Sequence, residues 1–399
     1  MKITRVEPLV LGTAWRNLTI VVVHTDEGVE GVGEVRMLNH TDALLGYLQE
    51  AVPRHVLGSD PFDVESLIQR MSKADYARAG EIAMSAAAVV EIACWDIKGK
   101  ALGQPVYRLL GGAVHDRLPA YANGWYQVDR TPGAFHAAAR QVIGRGYQAL
   151  KLDPFGDAQG ELTRGERILS IGLVEAVRDA IGADAEMMIE MHGRFTPRTA
   201  LSLARDLEAF NPAWIEEPVP PDDPGALAWL AGRVEVPVAA GERIHVRGEF
   251  RELFERRAID IVQPDITMCG GLWESRKIAA WAESYQVLVA PHNVGGPIST
   301  AAALHLAACT PNFKIQENFN DFAEDYVLEV ARGNPVVADG YFALPAGPGL
   351  GVTLDRSVIE RNPRRALYFD LHKEDWQLRQ ARTAEQADAG GPDERGTQR

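Results

Sequence analysis

Ionisable side chains recur at a regular interval through the middle of the 399-residue chain. Glu190, Glu216 and Glu242 each end a short apolar run, and the next two such runs end at Asp265 and His292. Successive members of this series are 23 to 27 residues apart. Carboxylate oxygens are preferred ligands of Mg²⁺, and a carboxylate beside an imidazole is a common general base. The series therefore predicts metal-assisted acid–base chemistry, provided that the fold brings its members together.

The runs that carry these residues are typical of short β-strands, and amphipathic helical patterns such as TPRTALSLARDLEAF lie between them. The runs are LPAYANG, ALKLDP, MMIEMH, AWIEEP, VPVAAGE, DIVQPD, VLVAPH and FKIQE. Alternating strands and helices indicate a parallel sheet. Eight strands within about 200 residues fit a (β/α)₈ TIM barrel. A doubly wound open sheet is the alternative, but no GxGxxG motif stands at the first strand–helix turn.

In a barrel the carboxyl ends of the strands form one rim, where catalytic groups gather. Neighbouring strands are ~4.8 Å apart, so Glu190, Glu216 and Glu242 would crowd there and repel one another. A divalent cation relieves this repulsion, and an all-oxygen set favours Mg²⁺, or Mn²⁺, over zinc. The alternative is that single glutamates pair with Arg194 or Arg243. We predict that the three glutamates are metal ligands.

The remaining rim residues are candidates for proton transfer. Asp265 and His292 end consecutive strands, and a carboxylate that holds one imidazole nitrogen makes the other nitrogen a better base. Lys151 and His192 are predicted on the opposite arc of the rim, and Glu317 completes the ring.

The stretch EMH places Glu190 and His192 two residues apart. Side chains at positions i and i+2 of a strand share a face, so these two groups are predicted to lie side by side. Glu217, which follows Glu216 directly, is predicted to point to the other face and to be structural.

Residues 1–112 do not show the repeated strand–helix pattern. The hairpin LTIVVVHTDEGVEGVGEVR and the helical run AMSAAAVVEIACWDIKGKALG predict an α+β domain ahead of a barrel at 113–325. Segment 326–378 is predicted to return to that first domain. Segment 379–399 lacks large apolar residues and is predicted to be a disordered tail.

Composition narrows the class of protein. The formal net charge of −14 argues against binding to nucleic acid or to anionic membranes, which require basic patches. The scattered Cys94, Cys269 and Cys309 indicate reduced thiols. Neither a signal peptide nor a membrane-length apolar run is recognisable. We predict a cytoplasmic protein with a small-molecule substrate.

Several motifs in order resemble the enolase superfamily, mandelate racemase subgroup, and within it acid-sugar dehydratases of the D-galactonate dehydratase type. The resemblance covers residues 1 to about 375. The motifs are AMSAAAVVEIACWDIKGK, KLDP, EMHGRF, IEEPV, AAGER, QPD followed by GG, APHNVGGPIS, QEN and PGLGV. It implies a modified TIM barrel with an N-terminal capping domain, Mg²⁺ as cofactor (Mn²⁺ is possible) and a homo-oligomer, from dimer to octamer.

The resemblance also implies roles. Glu190, Glu216 and Glu242 would bind the metal, which together with Lys151 would hold the substrate carboxylate. His292, tuned by Asp265, would remove the proton α to that carboxylate. His192 would protonate the departing β-hydroxyl, and a protonated Glu317 would donate to the enediolate. The product would be a 2-keto-3-deoxy acid.

Two departures from the family pattern bear on these roles. Family members usually carry Asp where this chain has Glu190, and the longer side chain could displace the metal or His192. Racemases of the subgroup carry Lys-x-Lys where this chain reads Lys151-Leu152-Asp153. Without the second lysine a two-sided racemisation lacks a base, whereas His192 favours elimination.

Two other functions remain open on the sequence alone. One is an epimerase, racemase or cycloisomerase that acts through the same enediolate, with His192 and His292 as opposed bases. The other is a non-catalytic acid-sugar sensor that has kept the site. The particular sugar is not encoded in any motif. The first domain covers the barrel mouth in this family, so Trp15, Arg16, Tyr76 and Arg78 in its loops are predicted to contact the substrate.

Overall fold

The computed structural model describes residues 1–73, 76 and 79–383. The N-terminal domain consists of an antiparallel sheet followed by helices. Its elements are β1 (Ile3–Gly12), β2 (Asn17–Thr25), β3 (Glu30–Val35), α1 (Thr41–His55), α2 (Val64–Lys73), α3 (Glu81–Leu102) and α4 (Val106–Leu109). Strand β2 pairs with both of its neighbours and is buried along nearly its whole length, which explains its unbroken Val and Ile run.

Glycines at Gly31 and Gly33 allow the sheet to lie directly on helix α3. A Cβ atom at either position would come within 2.0 or 2.1 Å of the carbonyl oxygens of Ala93 and Val89. This glycine pair therefore serves backbone packing.

The second domain alternates parallel strands with helices. Its strands are β4 (Arg117–Ala122), β5 (Ala149–Leu152), β6 (Glu186–Glu190), β7 (Trp214–Glu216), β8 (Val238–Ala240), β9 (Ile261–Val262), β10 (Leu288–Val289) and β11 (Gln316–Asn318). Its helices are α5 (Pro132–Gly144), α6 (Arg164–Ile181), α7 (Pro197–Leu207), α8 (Pro224–Ala231), α9 (Phe250–Glu255), α10 (Leu272–Ser284) and α11 (Pro297–Ala308). Thr-Pro or Asp-Pro pairs start α5, α7 and α8, with the Thr or Asp side chain accepting a backbone N–H of the first turn.

The strands close into a barrel. Strands β4 to β10 pair in chain order, and β11 pairs in parallel with β4. A parallel bridge between Val289 and Phe313 joins the other edge. One buried side chain from each strand or its flank fills the interior, in the layered packing typical of TIM barrels. These side chains are Tyr121, Ala149, Met188, Trp214, Ala239, Ile261, Ala290 and Ile315. The predicted capped barrel is confirmed.

Rim residues differ in how they are supported. Glu190 and Glu216 are paired across the last register of β6 and β7. Strands β8, β9 and β10 end at Ala240, Val262 and Val289, so Glu242, Asp265 and His292 lie in the following loops. The regular spacing of the strands in the sequence predicted where the rim lies. The positions of these three side chains on the rim depend on the conformation of the loops.

The chain after the barrel contacts both domains. Its elements are α12 (Asp325–Glu329), β12 (Ala331–Arg332), β13 (Val337–Ala338), β14 (Tyr341–Ala343), β15 (Thr353–Leu354), α13 (Arg356–Arg361), β16 (Leu367–Tyr368) and β17 (Arg382–Thr383). Strand β14 pairs with β4 of the barrel, while Pro363 bridges to Leu11 and Gly349 bridges to Pro105 in the first domain.

The predicted start of a disordered tail at residue 379 needs correction. Arg379 is 6% exposed, and Arg382–Thr383 pair with Leu367–Tyr368. The polar composition of this stretch concealed one packed arginine and a short strand. The rest of the predicted tail, residues 384–399, lies outside the described residues. In the part of the chain that is described, every helix is too short or too polar to span a bilayer.

Buried carboxylates of the first domain cap helices of the barrel. The Glu91 carboxylate, on α3, accepts the backbone N–H groups of Leu272 and Trp273 at the start of α10, at 2.8 and 2.9 Å. Glu34, at the end of β3, accepts those of Gly296 and Ile298 at the start of α11. Negative charge at a helix N-terminus is favourable because the first N–H groups have no partner within the helix.

We expect Glu91→Ala to lower the free energy of unfolding by about 3 kcal/mol or more. The variant leaves two helix N–H groups and the indole N–H of Trp95, which Glu91 also accepts at 2.6 Å, buried without a partner. Urea unfolding followed by tryptophan fluorescence measures the loss. Glu50→Ala is the control, since the Glu50 side chain is 79% exposed, and a comparable loss in both variants would contradict the capping role.

Candidate metal centre and active site

Glu190, Glu216 and Glu242 converge at the rim as predicted from the sequence. One carboxylate oxygen from each lies within 4.8 Å of the others. Glu190 and Glu216 are buried, and the Glu242 side chain is 13% exposed. Burial, and then the charge of Glu216, raise the pKa of Glu190 well above its usual range. Three such groups do not stay ionised together unless positive charge offsets them.

The three carboxylates fit a divalent cation. In an octahedral Mg²⁺ site the ligand oxygens lie ~2.1 Å from the ion, so no two are more than about 4.2 Å apart. The observed oxygens need only a small inward movement to meet that condition. The donors are all carboxylate oxygens, the chemistry preferred by Mg²⁺ and Mn²⁺.

Within the described residues, neither of the predicted alternative arginine partners pairs with these carboxylates. The Arg194 guanidinium binds Asp153, and the Arg243 guanidinium binds Glu217, with Nε 2.8 Å from Oε2. Glu217 follows the last residue of β7 with a φ of 42°, in the left-handed region, so its contact with Arg243 is set by this turn and not by strand alternation.

Lys151 supplies the positive charge closest to the cluster. Its Nζ lies 2.5 Å from Oε1 of Glu216, 3.1 Å from Oε1 of Glu317 and 3.5 Å from Oε2 of Glu190. Burial by itself lowers the pKa of Lys151, but the surrounding carboxylates outweigh burial and raise it well above the usual value. Lys151 is thus a fixed ammonium group beside the candidate metal centre.

Asp265 orients His292. Its Oδ2 lies 2.8 Å from Nδ1 of His292, while its Oδ1 accepts the backbone N–H and the hydroxyl of Thr267 at 2.8 and 2.7 Å. The other imidazole nitrogen, Nε2, is 3.4 Å from Glu242. Burial lowers the pKa of His292, but Glu242, Glu317 and Asp265 outweigh burial and raise the pKa to about 9.

His192 reaches the site by a different route from the one predicted. Its φ of 46° lies in the left-handed region, so it does not continue the strand that ends at Glu190. The turn places the backbone N–H of His192 2.6 Å from Oε1 of Glu190, which accepts the hydrogen bond. The Glu190 side chain is one methylene longer than the Asp usual in the family. The ring packs edge-on against Trp376, with centroids 5.5 Å apart.

Asp153 is a site residue that the sequence did not reveal. Its Oδ2 lies 2.5 Å from Nδ1 of His192, and Arg194 Nη2 binds its Oδ1 at 2.6 Å. Burial raises the pKa of Asp153, but Arg194 and His192 outweigh burial and lower it to about 2. Its position two residues after Lys151 is the sequence signal, and there the family pattern predicts only the absence of a second lysine. The site therefore contains two His–Asp pairs.

Glu317 differs from the expectation of a protonated acid. Its Oε1 accepts from Nδ2 of Asn123 and its Oε2 from the backbone N–H of Asn293, both at 2.7 Å. Burial raises the pKa of Glu317, but Lys151 and His292 outweigh burial and lower it. Donors face both oxygens, an arrangement that favours the ionised carboxylate.

A cavity of about 220 Å³ joins these groups to the first domain. Of the residues predicted to contact the substrate, Trp15 lines the cavity. Arg16 lies behind it, buried, with its guanidinium 4.6 Å from the Trp15 ring and bonded to the carbonyl of Val294. Tyr76 is fully exposed and away from the cavity lining, and Arg78 lies outside the described residues.

Other residues line the cavity without any sequence signal that had singled them out. They include Arg36, Glu81, Tyr126, Trp376 and Arg379. Trp376 and Arg379 come from the C-terminal segment, which shows that this segment completes the wall of the site.

Comparison with known proteins agrees with this architecture. Residues 134–358 match the enolase C-terminal domain-like family, and residues 5–111 match the mandelate racemase / muconate lactonizing enzyme N-terminal domain. The chain belongs to the enolase superfamily, in the branch of mandelate racemase and muconate lactonizing enzyme.

Similar proteins include dehydratases of acid sugars. The chain is 37% identical over 371 residues to the D-galactonate dehydratase of Ralstonia pickettii, covering 91% of this chain and 94% of that protein. It is 36% identical over 346 residues to the D-gluconate/D-galactonate dehydratase of Picrophilus torridus, covering 86% and 88%. A solved mandelate racemase/muconate lactonizing enzyme from Sulfitobacter sp. is similar with a TM-score of 0.86 and 32% identity, over 91% of this chain and 96% of that one. The predicted family resemblance is confirmed.

We expect Glu216→Gln to weaken Mg²⁺ and Mn²⁺ binding by more than about tenfold, because one of three charged ligands becomes neutral. Isothermal titration calorimetry on protein stripped with EDTA measures the affinity. Glu217→Gln is the matched control, since it makes the same change one residue later on a carboxylate bound to Arg243. Equal affinity in wild type and Glu216→Gln would exclude this centre.

Proposed function

We propose that the protein is an Mg²⁺-dependent dehydratase of an acid sugar of the aldonate type. The observation that carries this proposal is that two His–Asp pairs, His292–Asp265 and His192–Asp153, present their imidazoles to one cavity that Glu190 and Glu242 also line. Two separately oriented imidazoles suit a reaction that needs one base and one acid. The dehydratase names of the relatives support the same reaction class.

His292 would act as the base in its neutral form, which a cation held by Glu242 would favour by offsetting the carboxylate charge that raises the pKa of His292. Asp265 holds Nδ1, so that Nε2 is the nitrogen available to remove the proton α to the substrate carboxylate. That proton is weakly acidic, and the enediolate that forms needs preorganised positive charge. The Lys151 ammonium provides part of it. A divalent cation bound by the three glutamates would supply the rest as a Lewis acid.

His192 would act as the acid. Asp153 holds its Nδ1, while its Nε2 makes no hydrogen bond with any described residue. Protonated His192 would donate to the β-hydroxyl as the C–O bond breaks, and the electrons of the former C–H bond form the C=C bond. Water leaves, and the enol product tautomerises to a 2-keto-3-deoxy acid. Asp153 would stabilise the imidazolium before transfer, and Arg194 fixes Asp153.

The alternative functions find less support. Racemisation or epimerisation needs a second base, and the position of the second lysine in racemases is occupied here by Asp153. Cycloisomerisation through the same enediolate does not require a proton donor for a leaving hydroxide. A non-catalytic sensor has no need for two oriented imidazoles. The relatives from Ralstonia pickettii and Picrophilus torridus are named for dehydration instead.

We also propose the identity of the metal ion, a cellular location and an oligomeric state. Mg²⁺ is favoured as the ion by the all-oxygen donor set, with Mn²⁺ as a substitute. A cytoplasmic location is supported by three free, buried cysteines. A homo-oligomeric state is proposed from the family alone and is tested by light scattering.

We expect His192→Asn to lose dehydration by about 10² to 10⁴ in rate, the usual contribution of general acid catalysis. The variant should still exchange the α-proton of D-galactonate with solvent deuterium, because His292 forms the enediolate without His192. Proton NMR of the recovered substrate in D₂O measures the exchange, with 2-keto acid formation assayed alongside. His136→Asn removes a surface His–Asp pair and is the control. Dehydration at the wild-type rate in His192→Asn would reduce His192 to a structural residue.

We expect His292→Asn to abolish both exchange and turnover. Asp265→Asn should lower both through the same imidazole, so the double variant should be little worse than His292→Asn, as happens when residues act as a unit. Single-turnover kinetics and α-proton exchange of all three variants measure this dependence. Multiplicative losses would show that Asp265 acts independently of His292.

A further inference from the structure

Trp376 contacts the proposed acid from the C-terminal segment. It begins the short turn Trp376–Leu378, is 7% exposed and lines the catalytic cavity. The centroids of its ring and of the His192 imidazole are 5.5 Å apart, and the two planes cross at 88°. Perpendicular aromatic pairs attract because the edge of one ring is positive and the face of the other is negative. The pair therefore orients the imidazole.

The indole N–H of Trp376 binds the same backbone group that supports Asp153. It donates to the Gly156 carbonyl at 3.1 Å, and Nη1 of Arg194 donates to that carbonyl at 2.5 Å. Nη2 of Arg194 binds Oδ1 of Asp153 at 2.6 Å, and Oδ2 of Asp153 lies 2.5 Å from Nδ1 of His192. The imidazole then returns to Trp376 through the ring contact. These five residues form a closed ring of contacts, so each is held from two directions.

Trp376 is itself anchored to the barrel. The centroid of the Tyr126 ring is 6.1 Å from that of Trp376, with the planes at 89°. The next residue, Gln377, donates from Nε2 to the carbonyl of Val128 at 3.3 Å. Tyr126 and Val128 both lie in the loop between β4 and α5. Trp376 thus has a fixed position that does not depend on His192.

His192 needs this second contact because one hydrogen bond does not fix a ring. The contact with Asp153 holds Nδ1, but the imidazole can still rotate about it and move Nε2. The barrel encloses His192 less than it encloses the base, since the side chains of His192 and His292 are 19% and 4% exposed. A general acid has to keep its proton within hydrogen-bond reach of the leaving oxygen.

We propose that Trp376 is a positioning residue for His192 and that it commits the enediolate to elimination. The enediolate has two fates. His292 can return a proton to the α-carbon, which restores the substrate. Alternatively, His192 protonates the β-hydroxyl, the C–O bond breaks and water leaves as the enol forms. A correctly placed Nε2 speeds only the second fate, so the C-terminal segment sets their ratio. This inference rests on the proposed dehydratase function and adds one residue to it.

The test measures both fates on one substrate, D-galactonate or D-gluconate, in D₂O with Mg²⁺. Proton NMR of the recovered substrate gives α-proton exchange, and 2-keto acid formation gives elimination. Trp376→Leu should lower elimination by roughly 10- to 100-fold, the cost of a misplaced catalytic group, while exchange stays close to the wild-type rate. The ratio of the two rates does not depend on the fraction of folded enzyme. Trp376→Phe should recover part of the loss, because it keeps a ring against His192.

Trp281→Leu is the matched control. Trp281 also forms a ring pair, with its centroid 6.0 Å from that of Phe254 and the planes at 62°, but it does not line the cavity. Its ratio should equal that of wild type. The double variant of His192→Asn with Trp376→Leu should have the ratio of His192→Asn, since Trp376 acts through His192. An unchanged ratio in Trp376→Leu, or equal losses of exchange and elimination, would overturn the proposal.

NMR of the protein with isotope-labelled histidine separates this inference from the proposed function. The ring signals of His192, one of ten histidines, are identified by their loss in His192→Asn. They should shift in Trp376→Leu, because the indole ring current acts on nearby atoms, and stay in place in Trp281→Leu. If they shift but wild type converts no acid sugar, the proposed function fails and the positioning of His192 stands. If they do not shift while wild type dehydrates its substrate, the inference fails and the function stands.

Discussion

The crowding of Glu190, Glu216 and Glu242 within 4.8 Å is the constraint on which the rest of the structure depends. Three carboxylates at one buried rim are unstable unless cations surround them. Lys151 provides one of those cations, and the donor set is suited to a second, a divalent metal ion. The same positive charge that makes the cluster tolerable is what an enediolate requires, so structural and catalytic needs coincide at this rim.

The capping domain contributes to this geometry through helix ends. Glu91 caps α10, which follows the loop of Asp265, and Glu34 caps α11, which follows the loop of His292. Asp265 and His292 thus lie on loops that begin at a barrel strand. Each loop ends at a helix whose N-terminus is capped by the first domain. Docking of the two domains and the orientation of His292 are therefore parts of one arrangement, which explains why the carboxylates of the cap are buried where charge is otherwise costly.

The opposite side of the cavity is assembled from more distant pieces. His192 depends on a left-handed turn and on Asp153, which Arg194 holds in place. Trp376 from the C-terminal segment packs against its ring, and Arg379 follows three residues later. The C-terminal segment therefore both supports the proposed acid and forms part of the cavity wall.

The sequence by itself determined the barrel, the rim and most of the chemistry. Strand and helix patterns are local, because side-chain periodicity records which face is buried, and Glu190, Glu216 and Glu242 fall at one phase of the repeat. The strand pattern also predicted Lys151, Asp265, His292 and Glu317 at the rim, and the motif resemblance implied their roles. Tertiary structure alone decided that His192 leaves the strand, that Asp153 is its partner and that Arg379 is buried. These features depend on contacts between residues far apart in the chain, on loop conformation and on closure of the cavity by the C-terminal segment. Such long-range contacts and loop conformations produce no periodic pattern in the sequence.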